Sequence, residues 1–299
     1  MISAFGRGSK RLMYANLNPR TMGLTKYGYE ELLAAAARNG FEGIEVPAGA
    51  FETVEKARTE GARLAGLGMR WGLIMAPCDL YRVPDDAFEA ALKQFAQWVS
   101  RARAAGCARA YNHIWPGSDD REYDANFEWH AKRLRAIYEI MDGNGMRYGL
   151  EFMGARTVRE GFRHPFIHSL AGTMALADSV DRRIGFVFDT IHWYCSGGRM
   201  DDVYLAARNT AKIVNVHLND ADPRRSREDQ VDSERGMPME HGIIDSAWIL
   251  RQLHLGGYDG PVIVEPMKPT TDRYASMPLD DAVADAASCL AKVFEAAGI

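Results

Sequence analysis

Short apolar runs rich in β-formers alternate along this chain with longer Ala-rich stretches whose apolar residues recur at helical spacing. Phe88, Leu92, Phe95 and Val99 fall at i, i+4, i+7 and i+11, and Leu134, Ile137, Tyr138 and Met141 form a second stripe, as core-facing helices require. A glycine-containing stop separates such a stretch from the next β-prone run. Gly40 precedes residues 43–46, Gly68 precedes 69–75, Gly106 precedes 109–113, Gly145 precedes 146–151, and Gly257 precedes 262–265. Glycine just past a helix takes the left-handed conformation that ends it, so these boundaries have a mechanism. A first strand near residues 12–16, together with the runs 186–189 and 213–217, brings the pattern to eight strands, each followed by a candidate helix. That predicts an α/β fold, a (β/α)8 TIM barrel, as a single domain over residues 1–299. The rival, a doubly wound open sheet, usually carries a Gly-rich phosphate turn after its first strand, and Asn16-Leu17-Asn18-Pro19 is not one.

Four consecutive runs end in an ionisable residue: Glu151, Asp189, His217 and Glu265. A carboxylate at a strand end often caps a helix or meets solvent, and each residue alone reads equally well that way. Four in succession do not. Ionised carboxylates beside apolar runs carry a heavy desolvation penalty unless paired, and no cation stands next to them in these runs. A divalent cation resolves the conflict, since three carboxylates and one neutral imidazole would leave about one net negative charge around it. Oxygen-rich ligation with one His favours Mn²⁺, Mg²⁺ or Co²⁺, with Zn²⁺ also compatible. An internal echo points the same way: residues 66–74 resemble 144–151, and where the second copy has Glu151 the first has Ile74. No organic cofactor is expected.

Other residues are candidates by position. His192 follows Asp189 by three residues and His113 ends the fourth strand, so both read as acid–base or substrate-binding groups. Glu45 ends the second strand and Trp115 follows His113, as candidate substrate contacts. Arg224, in the polar loop after His217, is a candidate clamp for a substrate oxygen or phosphate. Glu240 and His241 are weaker candidates in the same loop, and Cys195 has no evident base partner to make it a nucleophile. Trp71, Phe152 and Trp193 read as core or cavity wall. The stretches 154–165, 219–242 and 266–278 are too long for simple connectors and read as active-site loops at the C-terminal rim.

A formal net charge of -4 gives no general pull toward nucleic acid or an anionic membrane. Cys78, Cys107, Cys195 and Cys289 lie far apart without paired spacing, which suits a reducing compartment rather than a disulfide framework. The stretch up to Arg11 lacks the apolar centre of a secretory signal, and no run approaches membrane-spanning length. The expectation is a cytoplasmic protein acting on a small molecule.

In Gly149-Leu150-Glu151, Phe188-Asp189-Thr190-Ile191-His192, Val216-His217-Leu218-Asn219-Asp220 and Val264-Glu265-Pro266, the chain resembles the xylose isomerase-like TIM-barrel family, in its sugar phosphate isomerase/epimerase group. Residues 236–245 resemble the loop before that family's seventh helix, and the resemblance spans nearly the whole chain. It implies one divalent metal, most often Mn²⁺, on Glu151, Asp189, His217 and Glu265, with His192 and Arg224 touching substrate. It also implies that Glu151 and Glu265 carry protons on opposite faces of a ketose while the metal stabilises an enediolate. Proton return to the other face is epimerisation, and return to the neighbouring carbon is isomerisation. Members are often dimers or tetramers, so a homo-oligomer is implied.

Related barrels suggest three alternatives. One is β-elimination on a keto-inositol or 3-keto-glycoside, with His113 or His192 as acid or base; the C-glycoside-cleaving members work with a small partner subunit. The second is endonuclease IV-like phosphodiester hydrolysis. Its three-zinc cluster also needs a His after the third strand, where residues 76–79 have none. The third is a barrel that keeps the fold without catalysis.

Overall fold

The computed structural model describes residues 12–47, 50–76 and 79–299. The segment before Leu12 and the pair Pro77-Cys78, both used in the reading above, lie outside the described residues. Eight strand positions follow in order: β1 (Tyr14–Leu17), β2 (Gly43–Ile44), β3 in two pieces (Arg70–Trp71 and Ile74–Met75), β4 (Arg109–Ile114), β5 (Arg147–Phe152), β6 (Gly185–Asp189), β7 (Ile213–Leu218) and β8 (Pro261–Val264). Each is followed by a helix: α1 (Tyr29–Arg38), α2 (Val54–Gly66), α3 (Asp85–Ala104), α4 (Tyr123–Gly143), α5 (Leu170–Asp178), α6 (Met200–Arg208), α7 (Ser246–Leu255) and α8 (Leu279–Ala297).

All neighbouring strands are parallel, and β1 pairs with both β2 and β8. The first piece of β3 pairs with β2 and the second with β4. Only Gly72 and Leu73 separate the two pieces, so the third strand passes from one neighbour to the other and the sheet closes as a barrel. The sequence reading had this strand unbroken, and placed β1 two residues early: Leu12 is half exposed and outside the ladder.

Strand alternation sorts the side chains into two apolar layers. Phe186 and Phe188, Tyr148 and Leu150, and Val262 and Val264 belong to the large core beneath the helices. The opposite positions face the barrel axis, where Leu73, Tyr111, Val187, Val214 and Ile263 form a small separate plug, with Met75 against it. The next inward position on β4, β5 and β6, two residues after Tyr111, Gly149 and Val187, is ionisable: His113, Glu151 and Asp189. Glu265 stands in the same relation to Ile263. The pairing keeps them level, with His113 opposite Glu151 and His217 opposite Asp189. A dry apolar floor thus lies directly beneath a charged layer.

The long loops carry more order than their composition suggests. Residues 154–165 include a helical turn, Arg156–Arg159, and a strand, His164–Pro165, that pairs antiparallel with Gly117–Ser118. A short helix, Thr270–Ser276, follows β8. The loop after β7 is built on the fully buried Asp220, whose carboxylate accepts from the backbone N–H groups of Ala221, His241, Gly242 and Ile244 at 2.7–2.9 Å. Glu240 is spent within this loop, accepting from Met237 N at 2.8 Å. Among the described residues no helix is long and apolar enough to cross a membrane.

Gly149 shows how tightly the barrel closes below the charged layer: a Cβ there would lie 2.5 Å from Val214 Cγ2 and 3.0 Å from the Phe186 backbone nitrogen. Gly149→Ala is expected to destabilise the fold by about 1–3 kcal/mol, the usual cost of overpacking. Urea unfolding at constant m tests this, and an unchanged midpoint would contradict the close approach.

Candidate metal centre

Glu151, Asp189, His217 and Glu265 come from the ends of β5, β6, β7 and just beyond β8, and each offers a ligand atom within 4.8 Å of the other three. All four are buried. His217 Nδ1 is the hub, 2.9 Å from Glu151 Oε1, 3.2 Å from Glu265 Oε2 and 3.6 Å from Asp189 Oδ2. Its other ring nitrogen meets the Asn215 side-chain amide at 2.6 Å, which fixes the ring plane. Asp189 serves two purposes on different atoms. Oδ1 caps the short helix Thr190–Cys195 by accepting from the backbone nitrogens of Ile191 and His192, at 2.8 and 3.2 Å, while Oδ2 faces the centre.

Such a layer is charged in spite of its burial. Burial raises the Glu151 carboxyl, but His217 and then His113 outweigh it and hold the group well below the usual carboxylate range. Asp189 is held down against burial by His192 and Arg235. At Glu265 burial prevails over His217 and Arg235, and the carboxyl is raised. His217 is raised well above an ordinary imidazole because Glu265 and Glu151 overcome the effect of burial.

These residues fit a divalent cation. His217 Nδ1 and Glu151 Oε2 are buried without a well-directed hydrogen bond, although charged partners crowd around both. Three carboxylates with one imidazole form the donor set that Mn²⁺, Mg²⁺, Co²⁺ or Zn²⁺ accepts.

The runs themselves hold no cation beside the carboxylates, but the loop after β7 delivers one. Arg235, 3% exposed, places Nη1 3.1 Å from Asp189 Oδ2 and 3.0 Å from Glu265 Oε2. Asp232 holds it from behind through Nη2 at 3.2 Å and through its backbone carbonyl at 3.0 Å. Each carboxylate has lone pairs enough to serve the guanidinium and a metal together, so Arg235 orients two of the four ligands. Sequence reasoning missed it; its only signal was an Arg beside Gly236 in a loop already suspected of reaching the site.

Arg224, chosen in its place, is corrected by the structure. Its side chain is 81% exposed and closes a two-pronged ion pair with Asp222, two residues earlier, that holds it away from the centre. Trp115 is corrected as well. Its Nε1 donates to Asp79 Oδ2 at 2.6 Å, Arg82 stacks on its ring, and it lines a cavity of about 480 Å³ different from the one that Glu45 faces. His113 does reach the layer, with Nε2 3.0 Å from Glu151 Oε2. His192 Nε2 lies 4.0 Å from Asp189 Oδ2, and its Nδ1 accepts from Gly154 N at 3.2 Å. Glu45 accepts from the Asn16 side-chain amide at 3.1 Å and borders a cavity over the barrel mouth. Burial pushes its carboxyl up to about 8, against the pull of His217 and Arg20. Trp71, Phe152 and Trp193 are buried in the core. The Cys195 thiol is also buried, which pushes it up to about 12.

The fold is that of the xylose isomerase-like TIM barrels. The chain matches the model of that family over residues 33–293, and it belongs to the family. No curated protein matches it significantly. Similar solved structures include a xylose isomerase domain protein from Alicyclobacillus acidocaldarius, at 25% identity over 96% of this chain and 100% of that one, with a TM-score of 0.79. The IolI protein with a bound zinc atom is 15% identical over 96% of this chain and 98% of that one, with a TM-score of 0.76. An L-ribulose 3-epimerase is 19% identical over 96% and 95%, with a TM-score of 0.68. At these last two identities the likeness speaks for the fold.

Arg235→Met keeps the length of the side chain and removes its charge; metal affinity, measured by calorimetry with Mn²⁺, is expected to fall about 10- to 100-fold. Equal affinity would show that the guanidinium does not orient the ligands. For Glu45, a folded-state value raised above the unfolded one means that the folded chain keeps a proton that the unfolded chain loses. In metal-free protein, stability should therefore fall as pH rises from about 4.5 to about 8, by up to about 1.4 kcal/mol per unit. Glu45→Gln should flatten that slope in denaturant titrations across the window, and a slope unchanged by the substitution would count against a protonated Glu45.

Proposed function

We propose that this protein is a divalent-metal-dependent sugar isomerase or epimerase that acts on a ketose or keto-sugar by moving the proton on the carbon beside the carbonyl. One observation carries the reading: Glu151 and Glu265, from strands three positions apart, converge on the same imidazole nitrogen above an apolar floor. Two carboxylates that reach one small volume from different directions are placed to take a proton from one side of a substrate and return it from another. Family membership supports the reading.

Held by Glu151, Asp189, His217 and Glu265, a divalent cation, Mn²⁺ first, would supply the Lewis acidity that makes a C–H beside a sugar carbonyl removable. Glu151, held ionised by His217 and His113, is the group that accepts the proton. Glu265, whose carboxyl is raised, returns a proton to the other face in epimerisation, or Glu151 returns its own to the neighbouring carbon in isomerisation. Arg235 keeps the Glu265 and Asp189 carboxylates in place, and its guanidinium faces the same volume as a partner for a substrate oxygen. The apolar floor of Tyr111, Val187 and Ile263 excludes water from below.

A second reading, β-elimination from a keto-sugar, is favoured by His113. Its Nε2 stands 3.0 Å from Glu151, and its side chain is 30% exposed, on the open side of the centre. Glu151 would take the carbon-bound proton while His113 gives one to the departing oxygen. Phosphodiester hydrolysis would want free cations around the mouth, whereas Arg224, Arg225 and Arg227 are tied to Asp222, Glu234 and the Gly197 carbonyl.

Proton NMR in D₂O of the Mn²⁺-loaded protein, with ketoses and keto-inositols, should show loss of the signal beside the carbonyl. Glu151→Gln and Glu265→Gln should slow that loss by about 10²-fold or more. An alkene signal in the product would select elimination, and no exchange by protein with metal bound would overturn both readings.

A further inference from the structure

The charged centre occupies one half of the barrel mouth, on β5 to β8. The other half, over β1 to β3, opens into a cavity of about 650 Å³ between the strand ends, α1 and α3. The two adjoin at Glu45 and Met75. Glu45 borders the cavity, and His217 and Glu265 are among the charges that act on its carboxyl. Met75 borders it as well and packs on the apolar plug beneath the centre.

A sugar held by the centre does not fill this space. Cavities of such volume take ligands of drug-like size. Much of the wall is apolar: Leu32, Ile44, Val46 and Met75 face it together with the rings of Tyr27 and Trp98. Pressing hydroxyl groups against these residues strips their water without replacing it, whereas an aromatic or aliphatic group gains by burial there. Polar groups border it in two places: Asn18, Arg20, Thr25 and Glu45 beside the strand ends, and Gln94, Gln97 and Arg101 on α3 at the outer end. Of the two arginines on its wall, Arg101 already donates to the Phe51 and Glu52 carbonyls at 3.0 Å, and Arg20 lies against the Met75 sulfur at 2.7 Å.

We propose that the substrate is a keto-sugar bearing a bulky apolar or aromatic substituent, with the sugar at the four-residue centre and the substituent in the cavity over β1 to β3. This rests on the keto-sugar chemistry proposed above. The cavity is the specificity element of the site, and it serves isomerisation and elimination alike.

The methyl and phenyl glycosides of one 3-keto-hexose test it. With Mn²⁺-loaded protein, D₂O exchange should run with a kcat/KM about tenfold or more higher for the phenyl compound, mainly through KM, because burying an aromatic ring is worth at least that factor. Gln97→Trp, which narrows the outer end, should collapse the phenyl-to-methyl ratio. Equal values in the wild type, or a preference for a 6-phosphate over the phenyl group, overturns the proposal. Saturation-transfer NMR on Glu151→Gln reads binding without turnover. Transfer to the phenyl protons that is lost on adding Gln97→Trp supports the cavity assignment even where no exchange is seen, a result that would sink the reaction alone. Exchange without phenyl preference or phenyl transfer leaves the reaction standing and sinks the cavity assignment.

Discussion

Three carboxylates buried within a few ångströms of one another are the constraint on which the rest of this structure depends. Like charges that close, above an apolar floor, repel strongly and have little water to screen them. The layer exists because cations are brought to it: the His217 imidazole at its hub, His113 on the open side, and Arg235 bridging Asp189 and Glu265. A divalent cation is the remaining partner that such a donor set is suited to accept. Its charge would replace repulsion with coordination, and the same charge is what carbon-acid chemistry on a sugar needs.

The supports lie far from the ligands along the chain but close in space. Arg235 is useful only because the loop that carries it is nailed down, and Asp220 does the nailing by accepting from four backbone N–H groups at the foot of that loop. Asp220 sits three residues past His217, so the strand that delivers the imidazole also anchors the loop that returns with the guanidinium. Hydrogen bonds to an ionised acceptor are among the stronger ones available to a chain, and a buried carboxylate with four such donors leaves the loop little freedom.

The mouth of the barrel divides by chemistry. Strands β5 to β8 end in ionisable groups over dry residues, whereas β1 to β3 end beside a largely apolar cavity that Asn18, Glu45 and Met75 border. On the function proposed above, one half would move protons and the other would recognise what is attached to the sugar. In a closed barrel both halves lie over one axis, so a substrate that spans the mouth meets both at once.

Periodicity and strand ends carried most of the fold in the sequence. Helical stripes, glycine stops and eight β-prone runs are local properties, and each survives in the structure because the tertiary fold asks nothing different of those segments. The four residues of the centre were legible for the same reason: a charge that ends a buried strand conflicts with its neighbours in sequence, and the conflict is visible without coordinates. Even the two readings of Asp189, helix cap or site residue, were both present in the sequence, and only the structure shows one oxygen given to each. The break in β3 at Gly72-Leu73 was not legible, because it follows from the need of one strand to pair with two neighbours that diverge around a barrel. Nor was the choice of arginine. Arg224 and Arg235 share a polar loop and look alike in sequence, and what separates them is that Asp222 captures the first while Asp220 and Asp232 fold the second inward. Trp115 was misplaced for the same reason, since its partner Asp79 lies 36 residues away. Local chemistry determined which groups had to be at the barrel mouth, and long-range pairing decided which way each side chain of the loops would face.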